Sequence, residues 1–250
     1  IIIPTYNREK FIAECIHSAL SQSYADIEII VSDNASTDRT WEICQEIAQQ
    51  DQRVVLVRNE TNIGPVRNWI EGINRATGGY CKILFSDDQM KPDCLALMVP
   101  KLSAGDVGFV YCAAQIGPTL ASATKVAYQL PSTSRITSTT FAELLIEGTA
   151  PVSPGAVLLR TSDIRKNLHT SFPTSVQRDY ARNGAGPDAM IMLLTSRDYP
   201  FVEHINSPLV FFRAHADSFT VSNTNNEVDA GYKSIIPYFL KMQYGRNVWL

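Results

Sequence analysis

Along the first 112 residues, short β-branched runs alternate with longer stretches whose apolar positions recur every three to four residues. Ile1–Ile3 reads as the end of a strand, and Glu9–Gln22 sets Phe11, Ile12, Cys15, Ile16, Ala19 and Leu20 at helical spacing. The run Ile27–Ser32 predicts a buried strand. Ser36 or Thr37 then predicts the cap of a helix reaching about Gln50, with Asp38 in its first turn. Val54–Val57, Tyr80–Phe85 and Val107–Ala113 predict further strands, with helices at Pro65–Ala76 and Pro92–Leu102 between them. Strand and helix alternating at this interval predict βαβ units, a parallel sheet and an α/β fold.

After Gln115 the rhythm changes. Residues 116–140 are rich in Ser, Thr and Pro and predict irregular chain, with one short hairpin near Val126–Leu130. Helical spacing returns at Phe141–Ile146, Asp188–Thr195 and Ala230–Tyr244; strands are predicted at Gly155–Leu159, Phe201–Glu203 and Leu209–Arg213. There is no internal repeat and no low-complexity linker. The expectation is a single domain over 1–250, with a nucleotide-type half at 1–112 and a variable half at 113–250.

Composition narrows the function classes. The chain has 250 residues, 45% hydrophobic and 19% charged, an ordinary globular balance that can bury roughly 70–75% of its unfolded surface. A net charge of −3 argues against a nucleic-acid coat protein, so no nucleic-acid partner is expected. The five cysteines form no CxxC pair and sit among apolar neighbours, which predicts buried reduced thiols in a cytosolic protein. The longest apolar run, Val107–Ala114, is far short of the ~18 residues that span a bilayer, so no transmembrane segment is expected. The chain opens at Ile1 without a Met, and a preceding portion is expected.

In an open parallel sheet, ligands gather at the carboxyl ends of the strands. Three polar clusters fall there: Pro4-Thr5-Tyr6-Asn7, Asp33-Asn34-Ala35-Ser36-Thr37-Asp38 and Ser86-Asp87-Asp88-Gln89. Neither GxGxxG after a strand nor GxxxxGK[ST] occurs, which argues against dehydrogenase and P-loop readings. Adjacent carboxylates at a strand end repel each other and lose hydration, so Asp87-Asp88 calls for a cation or donor. Mg²⁺ or Mn²⁺, completed by phosphate oxygens and water, suits such a pair. A solvated turn ahead of the next helix is the plainer alternative.

The ordered set Ile3-Pro4-Thr5-Tyr6-Asn7, Val31–Asp38, Asn62-Ile63-Gly64 and Phe85-Ser86-Asp87-Asp88 resembles the inverting GT-A glycosyltransferases of family two. Arg67-Asn68 and Ala76-Thr77-Gly78-Gly79-Tyr80 are similar to that family as well. The resemblance covers residues 1–100, thins over 115–180 and returns at 188–218. It implies a GT-A fold, a mostly parallel Rossmann-like sheet flanked by helices, with the acceptor side and catalytic base in the second half.

That resemblance also implies roles. Tyr6, with the backbone of Pro4 and Thr5, would flank the nucleobase, and Asp33 would accept from its ring N–H. Arg67 would reach the base or the diphosphate, or else stand as a surface helix arginine. Asp87 would contact the ribose or the metal's water, and Asp88 the metal. Asp188, opening a helix after Pro187, falls where the family carries its base; the alternative is a helix N-terminal carboxylate ahead of Ala189–Leu194. His215 would be a further metal or phosphate ligand, or a surface histidine. His17, His169 and His204 lack a partner at ligand spacing, and Trp41 and Trp69 read as core rather than acceptor platform, while Trp249 could be either.

Two departures stand out: Pro187 replaces the first acid of the usual pair, and Thr195 stands where an arginine is frequent. The activity implied is metal-dependent transfer of a sugar from a nucleotide diphosphate, UDP foremost, to a hydroxyl of a saccharide or lipid-linked acceptor. Surface polysaccharide synthesis is the expected setting. The expected location is cytoplasmic, with peripheral work at the inner membrane face. Two alternatives remain at this point, an inactive nucleotide-binding module of the same fold and a sugar-1-phosphate nucleotidyltransferase.

Overall fold

Why the first half takes its shape follows from which strand residues point to which side. A computed structural model describes residues 1–174, 178–182, 184–215 and 227–245. Strands β1 (Ile2–Thr5), β2 (Ile29–Asp33) and β3 (Val54–Arg58) pair in parallel in that order. Successive strand residues face opposite sides, so Ile2 and Ile30 meet one helix layer while Ile3, Ile29 and Val31 meet the other. The first layer is α3 (Pro65–Arg75), through Val66, Trp69 and Ile73; the second is α1 (Ile12–Leu20) and α2 (Thr40–Ala48). Helices on both faces are what a parallel sheet requires.

A parallel bridge between Ile2 and Ile83 joins this sheet to a second one. The second sheet contains β4 (Tyr80–Cys81), β5 (Gln89–Met90), β6 (Val107–Gly117), β7 (Lys125–Ala127), β8 (Ser134–Thr137), β9 (Val157–Arg160) and β10 (Phe201–Arg213). Its order is β4-β9-β6-β10-β5, with β7 on β6 and β8 on β10. Among the described residues of this sheet only β6 and β10 pair in parallel; the other pairs are antiparallel. Around it lie α4 (Cys94–Leu102), α5 (Ser138–Ile146), α6 (Thr161–Asn167), α7 (Pro187–Thr195) and α8 (Glu227–Tyr244). Among the described residues two hydrophobic clusters form, and each draws residues from both halves of the chain.

Several expectations need correction. Phe201–Glu203 and Leu209–Arg213 are one strand, β10, which crosses Asn206–Pro208 through register shifts against β6. Ser36 and Thr37 do not cap α2, because their hydroxyls accept from the backbone and side-chain nitrogens of Asn7. The helix starts at Thr40, and Asp38 lies just before it, accepting from the Thr40 backbone. The hairpin near 126–130 is formed by β7 folding back on β6. Strand β8 and helix α6 were not expected. All five cysteines are buried and unpaired, as expected. Among the described residues no helix is long and apolar enough to cross a membrane. Trp249, and the resemblance beyond His215, lie outside the described residues.

One close approach fixes how α3 sits. A Cβ on Gly72 would stand 2.7 Å from Ile2 Cγ2 and 3.3 Å from Ser32 Cβ, and both neighbours are fully buried in the sheet. Alanine gains about 1 kcal/mol over glycine within a helix, whereas overpacking a core costs about 1–3 kcal/mol. Gly72→Ala is therefore expected to lose about 1 kcal/mol net in urea unfolding. A gain would show that α3 can lift off β1 at little cost.

Candidate active site

The parallel register aligns the ends of β1 and β2, with Thr5 opposite Asp33. Asp33 is completely buried. Its Oδ1 accepts from the Ser36 backbone N–H at 3.0 Å and lies 3.3 Å from Arg58 Nε. Its Oδ2 has no partner among the described residues, and neither does Thr5 Oγ1. A buried carboxylate oxygen left over in this way is short of one donor. Arg58, half-exposed, donates to the Ser36 carbonyl and stacks on Trp41, 4.9 Å from the ring centroid. Trp41, read as core, is therefore a platform for that guanidinium. Tyr6 stands exposed at the same strand end.

The Asn motifs have a structural cause. Asn34 Oδ1 accepts from the Ile63 N–H and Asn59 Nδ2, and Asn34 Nδ2 donates to Asn62 Oδ1. Asn68 exchanges hydrogen bonds with Ser32 and accepts from Asn59. These amides tie the β2 and β3 ends to the start of α3. Gly64, at φ +85° before Pro65, lets the chain turn into that helix. Arg67 points from α3 toward Asp179, 3.9 Å away, and is half-exposed.

The turn between β4 and β5 brings Asp87 and Asp88 to this edge. Asp88 is buried, and its Oδ1 accepts from the Arg213 backbone N–H at 2.9 Å. Burial, and then the Asp87 charge, hold its carboxyl well above the usual range. Asp87 Oδ2 lies 2.9 Å from His215 Nε2 and 3.7 Å from Arg8 Nε. His215 packs on Phe11, and its buried Nδ1 finds no partner among the described residues. Arg213 braces the turn: its Nε donates to the Asp87 carbonyl, its Nη2 to Glu14 at 2.6 Å, and its guanidinium covers Phe11.

These residues fit a hard divalent cation. Two crowded carboxylates, one buried and resisting ionisation, supply the oxygen donors it takes, and positive charge would relieve both. Among the described residues no cluster of three or more acidic, His or Cys side chains could cage a metal on its own. Ligands from substrate phosphate and water would therefore be needed.

In the second half of the chain, Gly186 and the start of α7 present Asp188. Its Oδ1 accepts from the Gly186 and Ala189 N–H groups at 2.9 and 2.7 Å, and its Oδ2 from the Tyr232 hydroxyl at 2.6 Å. Burial outweighs these hydrogen bonds and pushes its carboxyl up to about 7. Tyr128 lies within electrostatic reach of both Asp188 and Asp88. Burial, then the charges of Asp188 and Asp88, push its phenol up to about 12. Its backbone is left-handed, φ +61°, with its carbonyl 3.1 Å from His204 Nε2, so the conformation is held from behind.

The description Glycosyl transferase family 2 fits residues 1–165, about two thirds of the chain. The chain belongs to that family. Abequosyltransferase RfbV of Salmonella typhimurium is 40% identical over 100 residues, 38% of this chain and 30% of RfbV. Such matched stretches span 14–38% of the curated relatives. Among solved structures, S. aureus TarS in complex with UDP-GlcNAc superposes with a TM-score of 0.71 at 17% identity, covering 96% of this chain and 65% of that one. The mannosyltransferase PcManGT of Pyrobaculum calidifontis, in complex with GDP-Man and Mn²⁺, gives 0.55 at 23% identity, covering 87% and 57%. The fold is accordingly GT-A.

Within this family 2 chain, the structure gathers Pro4, Thr5, Tyr6, Asp33, Asp87, Asp88 and His215 along the ends of β1, β2 and the β4–β5 turn. Asp188 opens α7 in the second half of the chain, and Arg67 is half-exposed on α3. Sequence reading missed Arg58, Arg213, Tyr128 and Tyr232. Arg58 comes directly after the predicted strand Val54–Val57 and stands opposite Asp33, so register could have found it. Tyr232 is 44 residues beyond its partner and left no local signal.

Proposed function

We propose that this family 2 chain transfers a sugar, with inversion, from a UDP-linked donor to a hydroxyl of a saccharide or lipid-linked saccharide. The observation that carries the reading is the buried Asp33 with its unpartnered Oδ2 beside the Asp87-Asp88 turn, together with Tyr128 lying within electrostatic reach of both Asp88 and Asp188, the buried carboxyl that opens α7. Asp33 offers its unpartnered Oδ2 to a base N–H, and Tyr6 with the Pro4 and Thr5 backbone borders the base. Asp87 serves the ribose side with His215 held against it, and Arg67, half-exposed on α3, assists the nucleotide.

Asp88 would hold Mg²⁺ or Mn²⁺, with His215 as the further ligand expected from sequence; the cation supplies Lewis-acid relief of charge on the departing diphosphate. Asp188 Oδ2 takes the proton of the acceptor hydroxyl. The acceptor oxygen forms its bond to the anomeric carbon as the bond from that carbon to the phosphate oxygen breaks, and UDP leaves. One base and one displacement invert the centre; two-step retention would need a nucleophile instead. The UDP and Mn²⁺ complexes of the neighbouring folds support this choice of donor and cation. The site would work in the cytoplasm, on surface polysaccharide at the inner membrane face.

Thermal unfolding with UDP, dTDP, GDP and CDP, each with Mn²⁺ or EDTA, tests this directly. A ligand at 100 times its Kd adds about 2.7 kcal/mol, so binding is readily seen. UDP should stabilise most, and more with Mn²⁺; no shift with any nucleotide would end the reading. Asp33→Asn keeps the shape but turns an NH₂ toward the base, and is expected to weaken UDP about tenfold or more. Unchanged affinity in that variant would reduce Asp33 to an anchor for Ser36 and Arg58.

A further inference from the structure

Asp188 has a partner that a bare helix-end carboxylate does not need. Two backbone N–H groups satisfy Oδ1, and the Tyr232 hydroxyl donates to Oδ2 at 2.6 Å, a short bond of the charge-assisted kind. Tyr232 arrives on α8, which is pressed against the approach to α7. A Cβ on Gly231 would stand 2.5 Å from the Ala185 carbonyl oxygen, and Ser234 shares a 2.7 Å hydrogen bond with Tyr180. The phenol is thus delivered by a docked helix rather than by a free surface side chain.

We propose that Tyr232 is the positioning residue of Asp188: its hydroxyl fixes the orientation of Oδ2 and favours the carboxylate, so that a buried acid works as a base at neutral pH. This rests on Asp188 being the base. Oδ2 keeps a second lone pair for the acceptor hydroxyl, so the phenol and the acceptor share one oxygen without exchanging places. Tyr232 itself stays protonated, because burial and the Asp188 charge hold its own ionisation far above the ordinary range.

Among the described residues, the other groups around Asp188 leave this phenol as its direct side-chain donor. Tyr128 faces it from the segment after β7, and Asp229 lies near the phenol on α8. Helix α6 turns Asp163 to Tyr199, Arg165 to the Ile73 carbonyl and Lys166 to Asp198. The turn Pro154–Ala156 has no ionisable side chain, and β6 contributes Tyr111 and Cys112, whose thiol donates to the Ala156 carbonyl.

The test reads Asp188 itself, by ¹³C NMR of the Asp carboxyl carbons, with Asp188→Asn assigning the signal. In the parent chain the carboxyl should titrate near 7. Tyr232→Phe, which removes only the hydroxyl, should raise the midpoint by about one pH unit. 3-Fluorotyrosine at 232, a stronger donor, should lower it without disturbing the packing. Ser234→Ala loosens the same helix and should leave the midpoint in place. An unmoved midpoint in Tyr232→Phe, or an equal shift in Ser234→Ala, overturns the proposal. Hydrolysis of UDP-sugars then separates the two readings: an acid limb that ignores the measured midpoint counts against Asp188 as base, not against Tyr232 as its partner.

Discussion

Asp188→Asn is expected to lower donor turnover by about 10²- to 10⁴-fold, the span that a positioned general base contributes. UDP affinity should stay within about twofold of the parent, because no nucleotide contact is assigned to Asp188. The same substitution should also stabilise the fold above neutral pH. The folded carboxyl is pushed up to about 7, above the ordinary range near 4, so between those values the native state holds a proton that the unfolded chain has released. Stability is then fully present at low pH and declines as pH rises through 7. Asparagine keeps the acceptor for Gly186 and Ala189 and removes the buried charge, so the variant should gain on the order of 2 kcal/mol at pH 8. A less stable variant at pH 8 would mean that the carboxylate anchors the start of α7 more than it strains it.

That trade of stability for a poised group explains why some of the site could be read from the sequence and some could not. The strand-end positions were legible because a short β-branched run ends where its polar cluster begins: Ile2–Thr5, Ile29–Asp33 and the Asp87-Asp88 turn follow directly. Asp188 was legible only through the family pattern, since a helix N-terminal aspartate is usually a dipole partner and nothing in 187–195 indicates its burial. Tyr232 and Arg213 act on residues 44 and 125–126 positions away, across contacts that no local spacing encodes.

Tyr128 was hidden for another reason. It follows a three-residue strand within a Ser- and Thr-rich stretch, and a left-handed tyrosine is not anticipated by propensity. Helix α6 escaped because it is short, and Asp163, Arg165 and Lys166 within it leave no apolar stripe. The split of β10 into two strands came from Asn206-Ser207-Pro208, which reads as a break. The parallel neighbour β6 absorbs that break through register shifts, because its own residues are buried along nearly the whole length.

The second large effect is expected at the β4–β5 turn. Asp88→Asn should abolish the Mn²⁺-dependent part of stabilisation by UDP and cut metal-assisted turnover by about 10²-fold or more, several kcal/mol of leaving-group stabilisation being at stake. Without metal the direction reverses. Asp88 is buried beside Asp87, so its ionisation is raised and native stability falls as pH climbs through that range; removing the charge should make the metal-free variant more stable than the parent at neutral pH. Asparagine can still accept from the Arg213 N–H, so the turn keeps its brace. Two signs in one substitution separate a metal carboxylate from a structural one. A purely structural Asp88 would lower stability with and without Mn²⁺ alike, whereas a metal ligand loses the response to Mn²⁺ and gains in EDTA. Asp87→Asn is the contrast, because Asp87 has His215 at 2.9 Å and Arg8 at 3.7 Å as partners of its own. If both variants kept the full Mn²⁺ response, the cation would have to be bound elsewhere, and the donor site would be held by Asp33 and its neighbours alone.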